Sequence, residues 1–422
     1  MPITDGASTV NILRNTLNLL DDRLIDHGDR VAYLLYKMLE LKGGFTKKEL
    51  DTYLILGILH DISAYKTDEI DQMLTFDSEG VWSHSIYGYL YLKYLSPMQD
   101  YAEILLYHHL DYQKFKTIEY HLKHISMYLF IADRVDILLN LNHGIFTKKM
   151  MEKYRDTKFW GEGLDLFYQA NQQYHLVRNL KDDSYKKELG QLISRIELTS
   201  DECREYLKML VFMVDFREEN SVLRTVHTNI MAIGISREMS LSPQEANILY
   251  YATLVYDLGM LSVPESIIKA ARHLSELEMD TVRLHVDTMV MILSGNINKK
   301  VIDTAKAHHE KLDGSGYPDQ LKGSQISRLQ RILTVSDIVG ALNCENGRRK
   351  AYDKDKVIDV LTEEAKAGKL CPQVVQIVVD NYDKIQETAS EIFEKVMKNY
   401  WLIKESYDII IARFEKYNCT SC

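Results

Sequence analysis

Seven residues in the first third of the chain, His27, His60, Asp61, His84, His108, His109 and Asp133, offer imidazole nitrogens and carboxylate oxygens, which suit first-row divalent metals. Further on, seven residues repeat the order: His227, Tyr256, Asp257, His285, His308, His309 and Asp337. Taken pairwise the separations are 200, 196, 196, 201, 200, 200 and 204 residues, in a chain with only 14 histidines. Separations so close indicate an internal repeat and two homologous domains. A carboxylate can bridge two metals ~3.5–4 Å apart, and such a pair can generate hydroxide and clamp a phosphoryl group. One buried histidine is more often a satisfied core residue than a ligand. Seven residues in a repeated order reverse that balance, and the first block, which keeps every imidazole, is the stronger metal site.

Helices must bring these residues together. The 422 residues are 46% hydrophobic and 27% charged, with only 6 prolines, as in a mostly helical globular protein. Val31, Leu34, Leu35, Met38 and Leu39 recur at helical spacing ahead of a Gly43-Gly44 stop. Thr46 and Glu49 then fit a capping box opening a helix that delivers His60-Asp61 at its end. Further helices are expected near 87–95, 102–109 and 125–139, the last carrying Asp133. Ligands on several helices can converge in a bundle core. The expected organisation is a first domain at 10–145, a charged, Tyr-rich helical connector at 146–205, a second domain at 206–380 and a long amphipathic helix at 381–422. The stripe on that helix, from Ile385 through Ile403 to Phe414, suits packing on its own domain or a homodimer seam.

A net charge of -10 argues against long nucleic acids and membrane surfaces as partners. No apolar run is long enough to cross a bilayer, and the first residues lack a signal-peptide pattern. The expectation is a soluble, cytoplasmic protein. Five scattered cysteines do not form a disulfide framework, and a redox or metal role for Cys419-Thr420-Ser421-Cys422 is disfavoured.

The order His…His-Asp…His…His-His…Asp resembles the HD phosphohydrolase superfamily. The stretch His308-His309-Glu310-Lys311-Leu312-Asp313-Gly314-Ser315-Gly316-Tyr317-Pro318 matches the HHExxDGxGYP signature of its HD-GYP branch at every defined position. The resemblance covers both blocks but neither the connector nor the C-terminal helix. It implies an all-α fold of two tandem HD-type domains, and metal-dependent phosphodiesterase activity that opens cyclic di-GMP or related cyclic dinucleotides. Some relatives are inactive and serve as sensors or as partners of GGDEF signalling domains. By this resemblance Asp61 would bridge two divalent ions, iron or manganese. His27, His60 and Asp133 would complete one shell, and His84, His108 and His109 the other.

Each block departs from the family pattern. In the second, the His-Asp doublet is Tyr256-Asp257 and the lysine slot is Met260. One implied ion would rest on His227, position 256, Asp257 and Asp337, the other on Asp257, His285, His308 and His309. A phenol with a pKa of about 10 is a poor metal ligand, so zero or one ion is expected there. On the ligand side, Asn346 replaces an expected Arg, leaving Arg349, while Gly314 and Gly316 should present Tyr317 on a tight turn. In the first block Leu110 replaces the Glu of the signature, no Gly-Tyr-Pro loop follows, and Ala64 fills the lysine slot, with Lys66 either a catalytic candidate reaching the site or a solvated surface lysine. Some relatives bind a third ion through a Glu just before the first His. Arg23 lies four residues before His27, and Arg224 three before His227, so two ions are expected, not three. The leading reading is hydrolysis of a cyclic dinucleotide, or another nucleotide phosphoester, in the first domain. The alternative is a catalytically silent sensor or scaffold for a signalling protein, and a third is a nucleotide phosphomonoesterase.

Overall fold

The computed structural model describes residues 3–64, 70–76, 81–216, 219–345 and 350–419. Among these, every regular element is a helix. The chain forms two compact units, residues 9–206 with 402–422, and residues 1–8 with 207–401.

The first unit is built around α1 (His27–Lys42), α2 (Lys47–Leu59), α3 (Ser83–Leu95) and α4 (Lys123–Leu141). The capping box opens α2: Thr46 accepts from the Glu49 N–H, and the Glu49 carboxylate accepts from the Thr46 N–H at 2.7 Å. Gly57 lets α2 approach α1 closely, since a Cβ there would stand 2.7 Å from the Cα of Ala32. That contact sets the end of α2, with His60-Asp61, beside the start of α1, with His27. From Ile125 to Leu139 every residue of α4 is buried, so its polar members Asp133, Arg134 and Asp136 face partners inside the protein. The expected helix at 102–109 is shorter, Glu103–Leu106, and the two adjacent histidines lie just beyond its end, on a turn. Residues 146–205 belong to this unit; Phe167, Tyr185 and Leu189 are fully buried, and Tyr33 donates to Glu188 at 2.8 Å.

The second unit contains α5 (Glu219–Glu238), α6 (Pro243–Val255), α7 (His285–Leu293), α8 (Lys299–Lys306) and α9 (Arg328–Asn343). Capping boxes at Ser242/Glu245 and Ser327/Gln330 start α6 and α9. The last helix, α10 (Pro372–Cys419), starts before residue 381, because a proline suits a first helical turn, where its missing N–H is not needed. Along its apolar stripe Ile385, Ile403 and Phe414 are buried, and Tyr407 stacks on Tyr87 at 4.2 Å. Among the described residues no helix is long and apolar enough to cross a membrane.

Candidate metal centre

The seven residues of the first block meet in the core of the first unit. Their ligand atoms form two groups, Asp61 with His84, His108 and His109, and His27 with His60 and Asp133; within each group the atoms lie within 4.8 Å of one another. Asp61 stands between the groups. Its Oδ2 is 3.5 Å from His27 Nε2 and 3.3 Å from His60 Nε2, while its Oδ1 is 3.6 Å from His84 Nε2 and 3.8 Å from His108 Nε2. Asp133 is placed the same way, with Oδ1 3.4 Å from His27 Nε2 and Oδ2 3.5 Å from His109 Nδ1.

The rings are aimed by their far nitrogens. His60 and His108 donate from Nδ1 to the carbonyls of Gly57 and Leu105, at 2.7 and 2.5 Å, which turns each Nε2 lone pair toward the centre. His27 donates from Nδ1 to Asp136 at 2.7 Å, and Arg30 grips both oxygens of Asp136 at 2.5 and 3.0 Å. On the other side the buried Arg134 donates twice to Asp133, at 2.7 and 3.1 Å. Arg30, Arg134 and Asp136 were not singled out from the sequence. An Arg and an Asp inside an apolar helix carry no spacing signal; the one clue is their survival on a buried face.

Whether these residues fit metal ions is answered by their unpaired atoms. Asp61 Oδ1, Asp133 Oδ1, His108 Nε2 and both nitrogens of His109 are buried without a hydrogen-bond partner. Leaving such a group unsatisfied costs ~1–3 kcal/mol, and all these atoms can be electron-pair donors. Two groups of N/O donors sharing a carboxylate fit a pair of divalent ions.

Charge within the cluster supports the same reading. Burial opposes a proton on His27, but Asp133, Asp136 and Asp61 outweigh it and carry its pKa well above 6.5. Burial also opposes charge on Asp61, yet His60, His108 and His27 hold it well below 3.8. Burial, with His108 and His84 nearby, pushes His109 well below 6.5. In metal-free protein a raised His27 adds stability below 6.5 that is lost as pH climbs through its raised value. The depressed Asp61 adds stability above 3.8 that is lost as pH falls toward its lowered value. In chelator-treated protein the melting-point advantage of wild type over His27→Gln should therefore be full below 6.5 and shrink as pH rises above it. An advantage that does not shrink above 6.5, read by scanning fluorimetry, would contradict this charge arrangement.

The second centre is built differently. His285, His308 and His309 gather as one group. Asp257 Oδ1 lies 3.4 Å from His285 Nε2 and 3.6 Å from His308 Nε2. The other side of Asp257 faces a guanidinium: Arg224 Nη2 is 3.5 Å from Asp257 Oδ2 and 2.8 Å from Asp337 Oδ1. The contacts that His27 makes in the first unit are thus made by Arg224, and the pairing of His27 with His227 is corrected by one helical turn. His227 is half-buried on α5 and outside the histidine group. The separation from 27 to 224 is 197 residues, in line with the 196 that relates His60-Asp61 to Tyr256-Asp257. These residues do not fit two ions.

The signature loop is intact. Glu310 is buried and accepts from the N–H groups of Asp319 and Leu321 at 2.7 and 2.9 Å, and Tyr317 packs on His309 with ring centres 4.6 Å apart. Gly316 is required, since a Cβ would lie 2.5 Å from the Cα of Glu310. Leu110, at the corresponding position of the first unit, can accept no such bonds, and no Gly-Tyr-Pro sequence follows it. Lys66 and Arg349, and the pair Cys419 and Cys422 as side chains, fall outside what the structure describes.

Comparison with known proteins agrees with this architecture. Residues 24–141 match one HD domain model and residues 208–374 another. The chain is 24% identical over 387 residues to 3′3′-cGAMP-specific phosphodiesterase 1 of Vibrio cholerae, covering 85% of this chain and 87% of that protein. It is 25% identical to a cyclic di-GMP phosphodiesterase of Thermotoga maritima, over 53% of this chain and 62% of the relative. Among solved structures, a cyclic GMP-AMP specific phosphodiesterase of V. cholerae superposes with a TM-score of 0.56 at 15% identity, covering 90% of this chain and 98% of that one. With two HD domains in sequence, a shared tandem helical fold and an unbroken HHExxDGxGYP stretch, the chain belongs to the HD-domain superfamily and, within it, to the HD-GYP branch, as a tandem of two diverged domains.

Proposed function

We propose that the first domain is a metal-dependent phosphohydrolase whose substrate is a cyclic dinucleotide. The observation that carries this reading is Asp61, whose two oxygens face the two ligand groups. Two divalent ions, iron or manganese, would be held by His27, His60, Asp61 and Asp133 and by Asp61, His84, His108 and His109. When bound, such a pair supplies Lewis acidity and a water acidic enough to act as a nucleophile near neutral pH. The chain's own contribution is orientation. Asp136 with Arg30 fixes His27, backbone carbonyls fix His60 and His108, and Arg134 fixes Asp133. Lys66, on sequence grounds, is assigned to the phosphate side. A cyclic dinucleotide as substrate goes with a cytoplasmic location for the protein.

A second reading rests on the second domain. Its DGSGYP loop is braced while its centre holds Arg224 and Tyr256, a combination suited to binding a dinucleotide or a signalling protein, through Tyr317 and Arg349, without turnover. A homodimer along α10 has less support, because Ile385, Ile403 and Phe414 are already buried.

The full chain, reconstituted anaerobically with Mn(II) or Fe(II), should be given cyclic di-GMP, 3′3′-cGAMP and a panel of nucleotide monophosphates, with turnover and calorimetric binding followed together. Hydrolysis of a cyclic dinucleotide to its linear form is expected. Binding with no turnover would replace this proposal with the sensor reading, and turnover of monophosphates alone would replace the substrate class.

A further inference from the structure

We infer that Arg224 is a resident cation that stands where the first metal ion would sit in the second domain, so this centre takes at most one ion. The geometry is that of a substitution. In the first unit His27 Nε2 lies 3.5 Å from Asp61 Oδ2 and 3.4 Å from Asp133 Oδ1. In the second, Arg224 Nη2 lies 3.5 Å from Asp257 Oδ2 and 2.8 Å from Asp337 Oδ1, and Nε adds a second bond to Asp337 at 3.2 Å. A guanidinium carries its charge at every accessible pH and presents its donors in a rigid fork. It therefore does for the two carboxylates what an ion would do, and it does not exchange.

The neighbouring substitution is matched to it. Tyr256 is fully buried, its hydroxyl donates to Thr228 Oγ1 at 3.4 Å, and its ring packs edge-on against His308 at 5.0 Å. The space that an imidazole fills in the first unit is thus held by a neutral phenol beside a permanent cation. Arg23, four residues before His27, does nothing similar. It pairs with Asp21 and Asp71 at the surface, with half of its side chain exposed. What remains on the other side of Asp257 is the three-histidine group, with His285 Nε2 and His308 Nε2 3.2 Å apart. That group, with Asp257 Oδ1, has enough donors for one ion.

The test is an ion count, independent of any hydrolysis. Full-length chain and variants would be loaded with Mn(II), desalted and measured by plasma mass spectrometry, the first-domain ions cancelling in the differences. Tyr256→His alone should leave the count unchanged, because Arg224 still excludes an ion. Arg224→His combined with Tyr256→His should gain one ion per chain, and Arg224→Lys combined with Tyr256→His should gain none. A gain with Tyr256→His alone, or no gain with the double histidine variant, would overturn the inference. Should circular dichroism show the double histidine variant unfolded, Arg224→Gln with Tyr256→His replaces it under the same criteria.

Discussion

Replacing Asp61 with asparagine is expected to remove both ions of the first domain and at least ~10²–10³-fold of any hydrolysis, the loss typical of deleting one preorganised electrostatic group. The amide preserves the shape of the side chain, so packing against its neighbours survives. What changes is charge. Asp61 has one oxygen toward two imidazoles of each ligand group, whereas Asp133 faces one imidazole of each. Its carboxylate is held in ionised form by His60, His108 and His27 against the cost of burial. A neutral amide in that place offers an N–H, a donor where a donor of electron pairs is needed. The checks are metal content of anaerobically purified protein and turnover of a cyclic dinucleotide. Retained ions or retained turnover in the asparagine variant would sink the assignment of chemistry to the first domain.

Replacing Arg134 with methionine is expected to cost ~3–5 kcal/mol in metal-free protein, the price of breaking a buried ion pair from one side. Arg134 is 1% exposed. It donates to Asp133 at 2.7 and 3.1 Å and to the carbonyls of Thr75 and Met73 at 2.7 and 3.3 Å. Methionine fills much of the volume but strands a charged Asp133, whose ionisation burial opposes and Arg134 is the first group to favour. Urea unfolding of chelator-treated protein would read the loss directly. Loading with Mn(II) should recover part of it, since an ion bound to Asp133 restores a positive neighbour. A cost below ~1 kcal/mol in the metal-free state would show that Asp133 does not depend on this arginine.

The ligands were legible because metal chemistry admits few side chains and because their order repeats. The same restriction hid Arg224. A search for imidazoles near the repeat distance stops at His227, although the 32 residues separating Arg224 from Tyr256 come within one of the 33 separating His27 from His60. Arginine is not a metal ligand, so only coordinates, with its fork against Asp257 and Asp337, disclose its part. Helices were read well where capping boxes marked them, at Thr46/Glu49 for instance. They were read less well at 102–109, where an unbroken apolar pattern runs past the residue at which the helix ends. Asp136 was invisible for a different reason: its partners, His27 and Arg30, are set by the crossing of α1 and α4 and by no local pattern.

Glu310 accepts one backbone N–H on each of its oxygens, both from the loop that follows it. A carboxylate engaged in that way is a mechanical brace. It is occupied whether or not an ion is near, and it is not one of the grouped ligand residues. The Glu of the signature therefore reports on how a hairpin of backbone is stiffened, while His308 and His309 in the same stretch belong to the three-histidine group. A scan keyed to that signature would pick out residues 308–318, while the two ligand groups on either side of Asp61 lie in the other unit, under no such flag.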